Sequence, residues 1–218
     1  MADSLSNGGA TLSRRMLCAG AVGAASMLAL GTLKFVPESA HVRPPGGQDE
    51  DALVGACIRC QRCVEACPKG AIAAQHVEDG LLTVRTPVAS FDRGWCDFCE
   101  EENGGDPLCV LHCPTGALSL RSSLEAGKPL SQSLVLGKAV IVREWCLGYR
   151  LTGCRYCYDA CPYGAIELDE TGRPYVIPDA CNGCGACQSV CVSMQEGSLS
   201  EGATSRAIVV VPESQFVE

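Results

Sequence analysis

Cysteines recur in this chain in four groups of four, and a proline follows the last cysteine of three of the groups. The first group is Cys57, Cys60, Cys63 and Cys67, followed by Pro68, and it reads C-x2-C-x2-C-x3-C-P. Three thiolates at this spacing can bind one iron–sulfur cluster in a tight loop. The fourth lies one helical turn further on and points toward a neighbouring cluster. The spacing therefore predicts sites for one-electron cofactors.

Three further groups repeat the pattern with changes. The second has nine residues between its second and third cysteines, and the third has seven between its first and second. The fourth is regular, but Val192 stands where the others have proline. These groups are Cys96, Cys99, Cys109 and Cys113; Cys146, Cys154, Cys157 and Cys161; and Cys181, Cys184, Cys187 and Cys191. The first three continue as Pro-x-Gly-Ala followed by Ile or Leu, which indicates an internal repeat.

The motifs must be paired, because the last cysteine of one motif binds the cluster of another. Pairing regular with regular and interrupted with interrupted predicts a nested arrangement, first with fourth and second with third. The predicted ligand sets are Cys57, Cys60, Cys63 and Cys191; Cys67, Cys181, Cys184 and Cys187; Cys96, Cys99, Cys109 and Cys161; and Cys113, Cys146, Cys154 and Cys157. Sequential pairing, first with second and third with fourth, is the alternative.

Four 4Fe–4S clusters are the expected cofactors, although the inserts could change the nuclearity at the interrupted motifs. Structural zinc also binds four cysteines, often in paired C-x2-C turns, but it needs neither the three-residue gap nor the proline. Disulfides would suit an exported protein, yet repeated C-x2-C-x2-C runs are a poor framework for bridges. A zinc or disulfide-stabilised interaction scaffold is therefore the alternative from another class of function.

Composition limits the remaining possibilities. The chain has 218 residues, 17 cysteines and only 5% aromatic residues, so we expect a small core centred on the clusters. The net charge of −8 and the lack of a basic block argue against nucleic acid and favour docking to a protein partner. No dinucleotide-binding glycine motif, phosphate-binding loop or nucleophilic triad is present, so no catalytic residue is predicted.

The elements that position the cysteines should be short. The proline ends each helical turn, the following glycine permits a sharp turn, and Ala-Ile or Ala-Leu begins a strand. Residues Glu167 to Ile177 read as a hairpin with Thr171 and Gly172 in its turn, and Ile208 to Val211 as a final buried strand. The predicted fold class is α+β, with short helices and small antiparallel hairpins.

The first 40 residues read as a targeting segment. Arg14 and Arg15 precede an Ala/Gly-rich apolar run, as in twin-arginine signals, and residues 38–40 form a weak cleavage site. That route exports folded proteins, so clusters could be assembled before the cysteines reach an oxidising compartment. A membrane anchor over residues 16–33 is the alternative. We expect a flexible linker over residues 41–52 and one polyferredoxin domain over 53–218.

The leader, the four motifs, the interruptions and the length resemble the NapG/MauM family of exported ferredoxin-type proteins, from Arg14 to about Val211. The resemblance implies tandem bacterial-ferredoxin-like modules in a periplasmic protein, with possible peripheral membrane association. It also implies a quinol-oxidising membrane partner of the NapH kind and a downstream redox protein. Electrons would pass toward periplasmic nitrate reductase or serve methylamine dehydrogenase maturation. An electron-transfer subunit of another molybdopterin oxidoreductase is the alternative.

Overall fold

The computed structural model describes residues 14–33, 40–120, 128–150, 152–194, 203 and 205–216. The chain divides into two compact units, Met1–Glu38 and Ser39–Glu218. The first unit contains helix α1 (Arg14–Leu33), which begins at the two arginines. Within the described ranges, no helix is both long and apolar enough to span a bilayer. The rest of the predicted leader, including positions 38 and 39 of the cleavage site, lies outside the described residues.

Short elements make up the second unit. Its α-helices are α2 (Glu50–Ala56), α3 (Arg62–Glu65), α4 (Glu100–Asn103), α5 (Leu108–Leu111), α6 (Leu130–Ser133), α7 (Tyr156–Asp159) and α8 (Ala186–Ser189). Its strands are β1 (Ile72–Ala74), β2 (Pro87–Ala89), β3 (Lys138–Ile141), β4 (Ile166–Leu168), β5 (Pro174–Val176) and β6 (Ile208–Val211). Single 3-10 turns occur at Val77–Asp79, Leu147–Arg150, Pro178–Ala180 and Glu213–Gln215. The predicted α+β class of short helices and strands is confirmed.

The strands form three antiparallel pairs. β1 pairs with β2, and β4 pairs with β5 in the predicted hairpin, with Ile166 opposite Val176. Gly172 takes φ +78° in the turn, and Asp169 Oδ1 accepts hydrogen bonds from the backbone N–H groups of Thr171 and Arg173. The predicted last strand, β6, pairs with β3, so the chain end closes onto the middle of the sequence.

Three clusters of buried apolar side chains fill the second unit. One lies around Leu53 and Leu118, a second around Ile166 and Ile208, and a third around Phe98. Motif cysteines pack in all three. With few aromatic residues available, the core is divided into small parts beside the cysteine-bearing loops rather than gathered at one centre.

The predicted flexible linker over residues 41–52 is wrong. Arg43 is only 4% exposed, and its Nη1 donates to Thr86 Oγ1 at 3.0 Å and to the Pro87 carbonyl oxygen at 2.9 Å. Its guanidinium also pairs with Glu50 at the start of α2. This ordered segment therefore belongs to the folded unit, which begins before residue 53.

The Pro-Pro-Gly-Gly composition was misleading because these residues here fix a close backbone approach. Gly46 has φ +81°, and a Cβ at this position would lie 2.6 Å from the Ser119 backbone nitrogen. That nitrogen instead donates to the Gly46 carbonyl oxygen at 2.9 Å. Glycine is needed here for a packed turn, not for flexibility.

Candidate metal centres

The structure collects the sixteen motif cysteines into four cavities, each lined by four of them. We name them site A (Cys57, Cys60, Cys63 and Cys113), site B (Cys67, Cys96, Cys99 and Cys109), site C (Cys146, Cys154, Cys157 and Cys191) and site D (Cys161, Cys181, Cys184 and Cys187). The cavities enclose about 410, 410, 370 and 310 Å³ in that order, open mouths included. Their similar sizes suit one kind of group in all four.

The nested pairing predicted from the sequence is wrong, and the sequential alternative describes the structure. Cys191 joins the third motif, not the first, and Cys113 joins the first, not the third. Likewise, Cys67 joins the second motif and Cys161 the fourth. The helices show the reason: α3 packs against α5 and α7 against α8, so each motif exchanges its last cysteine with its neighbour in sequence.

The two inserts had suggested the wrong pairing. One contains α4 and the other contains the 3-10 turn Leu147–Arg150. Each insert lengthens a loop while its motif still supplies three cysteines to one cavity. Lengthening a loop costs little free energy, so an interrupted motif can pair with a regular one.

The Pro-x-Gly-Ala repeat places a backbone donor on the last cysteine of a motif. Ala71 N donates to Cys67 Sγ at 3.4 Å, and Ala165 N donates to Cys161 Sγ at 3.2 Å. Leu118 N makes the corresponding bond to Cys113 at 3.4 Å. Such N–H···S bonds are a means of tuning the reduction potential of a cluster.

The fourth motif, which lacks the proline, uses a different donor set. The Ser193 hydroxyl lies 3.3 Å from Cys191 Sγ, and the Ser193 oxygen accepts from Ala207 N at 2.7 Å. Burial acts to raise the pKa of Cys191, but hydrogen bonds from Ser193 and from the backbone of Ile208 and Ala207 together lower it. The residues just before and at the start of β6 therefore complete site C, a role that the sequence alone did not indicate.

Burial disfavours ionisation of individual cysteines in sites B, C and D, so a bound cation is needed to hold them as thiolates. Burial raises the pKa of Cys109 to about 12, and the charge of Cys99 adds to this effect. Burial likewise raises the pKa of Cys157 and of Cys184 to about 12. A coordinated metal deprotonates its thiol ligands, and sets of four thiolates suit zinc or iron–sulfur clusters. The donor sets therefore fit the predicted clusters chemically.

Shared packing gives the sites an order. Sites A and B meet in one apolar cluster, which contains Cys57, Cys63, Cys67, Cys109 and Cys113. Sites B and D meet where Cys96 N donates to the Cys184 carbonyl oxygen at 2.8 Å. Sites D and C meet in a second cluster, which contains Cys157, Cys161, Cys181, Cys187 and Cys191. The order is A, B, D and C.

Two glycines of site D permit close approaches that a side chain would block, and the approach at Gly185 is to Phe91 of the first half. A Cβ at Gly185 would lie 2.2 Å from the Phe91 ring, and one at Gly183 would lie 2.4 Å from the Gly137 backbone. Phe91, which is 2% exposed, packs in one apolar cluster with residues of both halves, including Cys184. Sequence reasoning missed Phe91 and Gly137 because neither belongs to a motif.

Comparison with known families agrees with the sequential pairing. The sequence pattern of the 4Fe–4S dicluster domain matches residues 47–118 and, in a second form, residues 152–194. The first match spans the first two motifs, and the second match spans Cys154 through the fourth motif. The folded unit is therefore a tandem of two 4Fe–4S dicluster ferredoxin domains.

Relatives narrow the class further. The chain is 36% identical to the ferredoxin-type protein NapG of Escherichia coli over 169 residues, which covers 71% of this chain and 68% of the relative. It is 35% identical to the methylamine utilization ferredoxin-type protein MauM of Methylorubrum extorquens over 199 residues, covering 83% and 84%. Ferredoxin-type protein NapF of E. coli is 29% identical over 171 residues. The chain belongs to the NapG/MauM family of ferredoxin-type proteins, which are iron–sulfur electron carriers.

Proposed function

We propose that the protein holds four 4Fe–4S clusters in sites A to D and passes single electrons along them between two redox partners. The observation that carries this proposal is a series of four cavities, each lined by four cysteines, in which A adjoins B, B adjoins D and D adjoins C. Three of the four ligands of site D are buried, whereas Cys60 of site A is exposed. A relay needs this arrangement, with protected centres inside and an accessible centre at an end.

The clusters, when bound, supply the one-electron chemistry, and the chain positions and insulates them. Thiolates from adjacent motifs hold the two clusters of each half close together. The hydrogen bond from Cys96 N to the Cys184 carbonyl joins the halves at 2.8 Å. Phe91 and Phe98 exclude water at this junction, since they are 2% and 0% exposed. Donors such as Ala165 N stabilise charge on the ligand sulfur atoms.

The family relationship favours a role in a respiratory or methylamine-utilising electron-transfer system. We propose that a quinol-oxidising membrane protein of the NapH kind donates electrons. The acceptor would be a periplasmic redox protein, such as nitrate reductase, or a component of methylamine dehydrogenase maturation. The paired arginines Arg14 and Arg15 support export through the twin-arginine route, which would deliver the folded, loaded protein to the periplasm.

Metal analysis after anaerobic purification tests the cofactor content. Four clusters of four irons predict about sixteen irons and sixteen sulfides per chain. Reduction should produce the electron paramagnetic resonance signals of interacting 4Fe–4S centres. A colourless protein containing about four zinc ions, or one whose cysteines form disulfides, would refute the proposal. About eight irons would restrict the relay to one dicluster domain.

A further inference from the structure

The backbone around site A contains residues that are unusual for their conformation. Five non-glycine residues in the described part of the chain have φ between +57° and +63°: Arg59, Gln61, Arg85, Phe98 and Cys99. The first three line the site A cavity. Left-handed backbone is unfavourable for residues with a side chain, and such outliers concentrate at functional sites.

The fourth motif shows what occupies these positions when the surroundings are packed. Gly183 and Gly185 stand two and four residues after its first cysteine, as Arg59 and Gln61 do in the first motif. Their φ angles are also positive, +76° and +81°, and a Cβ on either would clash. In the first motif the side chain of Arg59 is exposed instead. An arginine at a backbone conformation that favours glycine indicates that the arginine side chain has a function at this position.

Arg59 lies on a surface that is both basic and apolar. Arg59, Arg62 and Arg85 line the site A cavity, and no acidic residue is among its lining residues. Ile58 and Leu82 beside them are 63% and 62% exposed. The positive charge of this surface contrasts with the net charge of −8 for the whole chain.

The metal ligand at the centre of this surface is accessible. Of the sixteen motif cysteines, all within the described ranges, only Cys60 is exposed. Arg59 Nη2 donates to the Leu82 carbonyl oxygen at 2.7 Å, which fixes the neighbouring loop beside the cysteine. The opposite end differs, because the lining residues of site C include Tyr156 and Leu147 but no charged side chain.

We propose that the surface formed by Ile58, Arg59, Arg62, Leu82 and Arg85 docks a redox protein that presents carboxylates around its electron-exchanging centre. This inference rests on the proposed function, because it names the partner chemistry at one end of the relay. The arginines attract the partner's carboxylates, and the apolar side chains exclude water from the contact. One electron then crosses between the site A cluster and the partner's centre, with no bond made or broken.

Oxidation by small complexes of opposite charge tests whether the surface around site A carries positive charge. The loaded, dithionite-reduced protein is mixed in a stopped-flow instrument with ferricyanide or with hexaamminecobalt(III). Each complex accepts one electron from one reduced cluster. Ferricyanide should react faster at low salt and slow as ionic strength rises, and the cationic complex should show the opposite trend.

Charge reversal then locates the effect. Arg59→Glu should lower the ferricyanide rate about tenfold, as expected for a trivalent anion about 8 Å from a charge that changes by two at an ionic strength of about 0.1 M. Arg62→Glu provides a second variant in case Arg59→Glu perturbs the loop. Arg155→Glu, beside Cys154 at the site C end, changes the net charge equally and should leave the rate within about twofold.

Two results would overturn the docking surface. Equal slowing by Arg59→Glu and Arg155→Glu would mean that only net charge matters. No slowing by Arg59→Glu or Arg62→Glu would mean that electrons leave the protein at another surface. A membrane is the competing occupant, since arginines beside apolar side chains also suit anionic lipids. If the protein cosediments with phosphatidylglycerol vesicles in a salt-sensitive way and Arg59→Glu abolishes this binding, the surface binds a membrane and not a protein.

Iron content separates the docking proposal from the proposed relay. A chain that binds no cluster at site A refutes the relay. A chain that binds all four clusters but reacts at rates independent of charge refutes only the docking surface.

Discussion

Gly185→Ala should weaken the junction between the two dicluster domains. The new Cβ would lie 2.2 Å from the Phe91 ring, so the ring must move. Overpacking of this kind costs about 1–3 kcal/mol. The backbone at Gly185 has φ +81°, which adds about 1–2 kcal/mol for a residue with a Cβ. Together, these terms predict a loss of about 2–5 kcal/mol.

Gly172→Ala is the matched control for the backbone part of this loss. Gly172 has φ +78°, but no atom lies within 4 Å of the position that a Cβ would take. This variant should lose only the conformational part, about 1–2 kcal/mol. Comparison of the two variants therefore isolates the contact with Phe91.

Thermal loss of the visible cluster absorbance under anaerobic conditions, at one fixed scan rate, measures the difference. In a unit of this size, 1 kcal/mol corresponds to about 2–4 °C. We therefore expect a fall of about 2–8 °C for Gly172→Ala and about 4–20 °C for Gly185→Ala. Equal shifts in the two variants would show that Phe91 does not pack against Gly185, and the assigned junction between sites B and D would be wrong.

Four other substitutions test separate parts of the structure. Cys113→Ser should remove or alter the cluster at site A, and Cys191→Ser should remove or alter the cluster at site C. Each variant should lower the iron content by up to about four atoms per chain. Loss of the site A cluster in Cys191→Ser would instead support the nested pairing. Arg43→Ala should cost about 3 kcal/mol, because it removes the buried hydrogen bonds to Thr86 Oγ1 and the Pro87 carbonyl oxygen and the ion pair with Glu50; an unchanged melting temperature would contradict its structural role. Ser193→Ala should lower the midpoint potential of the site C cluster by about 40 mV, because it removes a hydrogen bond to Cys191 Sγ. This shift is the one-electron equivalent of a hydrogen bond of about 1 kcal/mol. A redox titration that finds no shift would show that the hydroxyl is not a donor to the sulfur atom.

The sequence predicted the parts of the fold whose causes are local. The cysteine spacing, the Pro-x-Gly-Ala turn and the Thr171–Gly172 hairpin each depend on a few adjacent residues, so a single sequence reveals them. The final strand was also predicted, from its run of β-branched residues. Its partner, β3, was not, because Lys138–Ile141 contains no signal that specifies pairing with the distant Ile208–Val211.

Pairing of the motifs could not be predicted because regularity within a motif does not identify its partner. The choice is made by packing of α3 on α5 and α7 on α8, between surfaces of only four residues each. The segment around Arg43 failed for a related reason. Proline and glycine are common in linkers, and only the distant partners Thr86 and Ser119 show that they form an ordered turn here.

Sequential pairing also changes how the proposed relay would be completed. Each half contains all eight cysteines of its two sites within one continuous stretch of sequence, so neither half takes a cysteine from the other. The contact between sites B and D requires both halves, since Cys96 belongs to one and Cys184 to the other. Phe91 would be left uncovered in the first half until Gly185 packs against it. In the proposed relay, the junction is therefore the step that would connect two separate pairs of clusters into one path. A protein with full iron content but a disrupted junction should transfer electrons within each half and not between them.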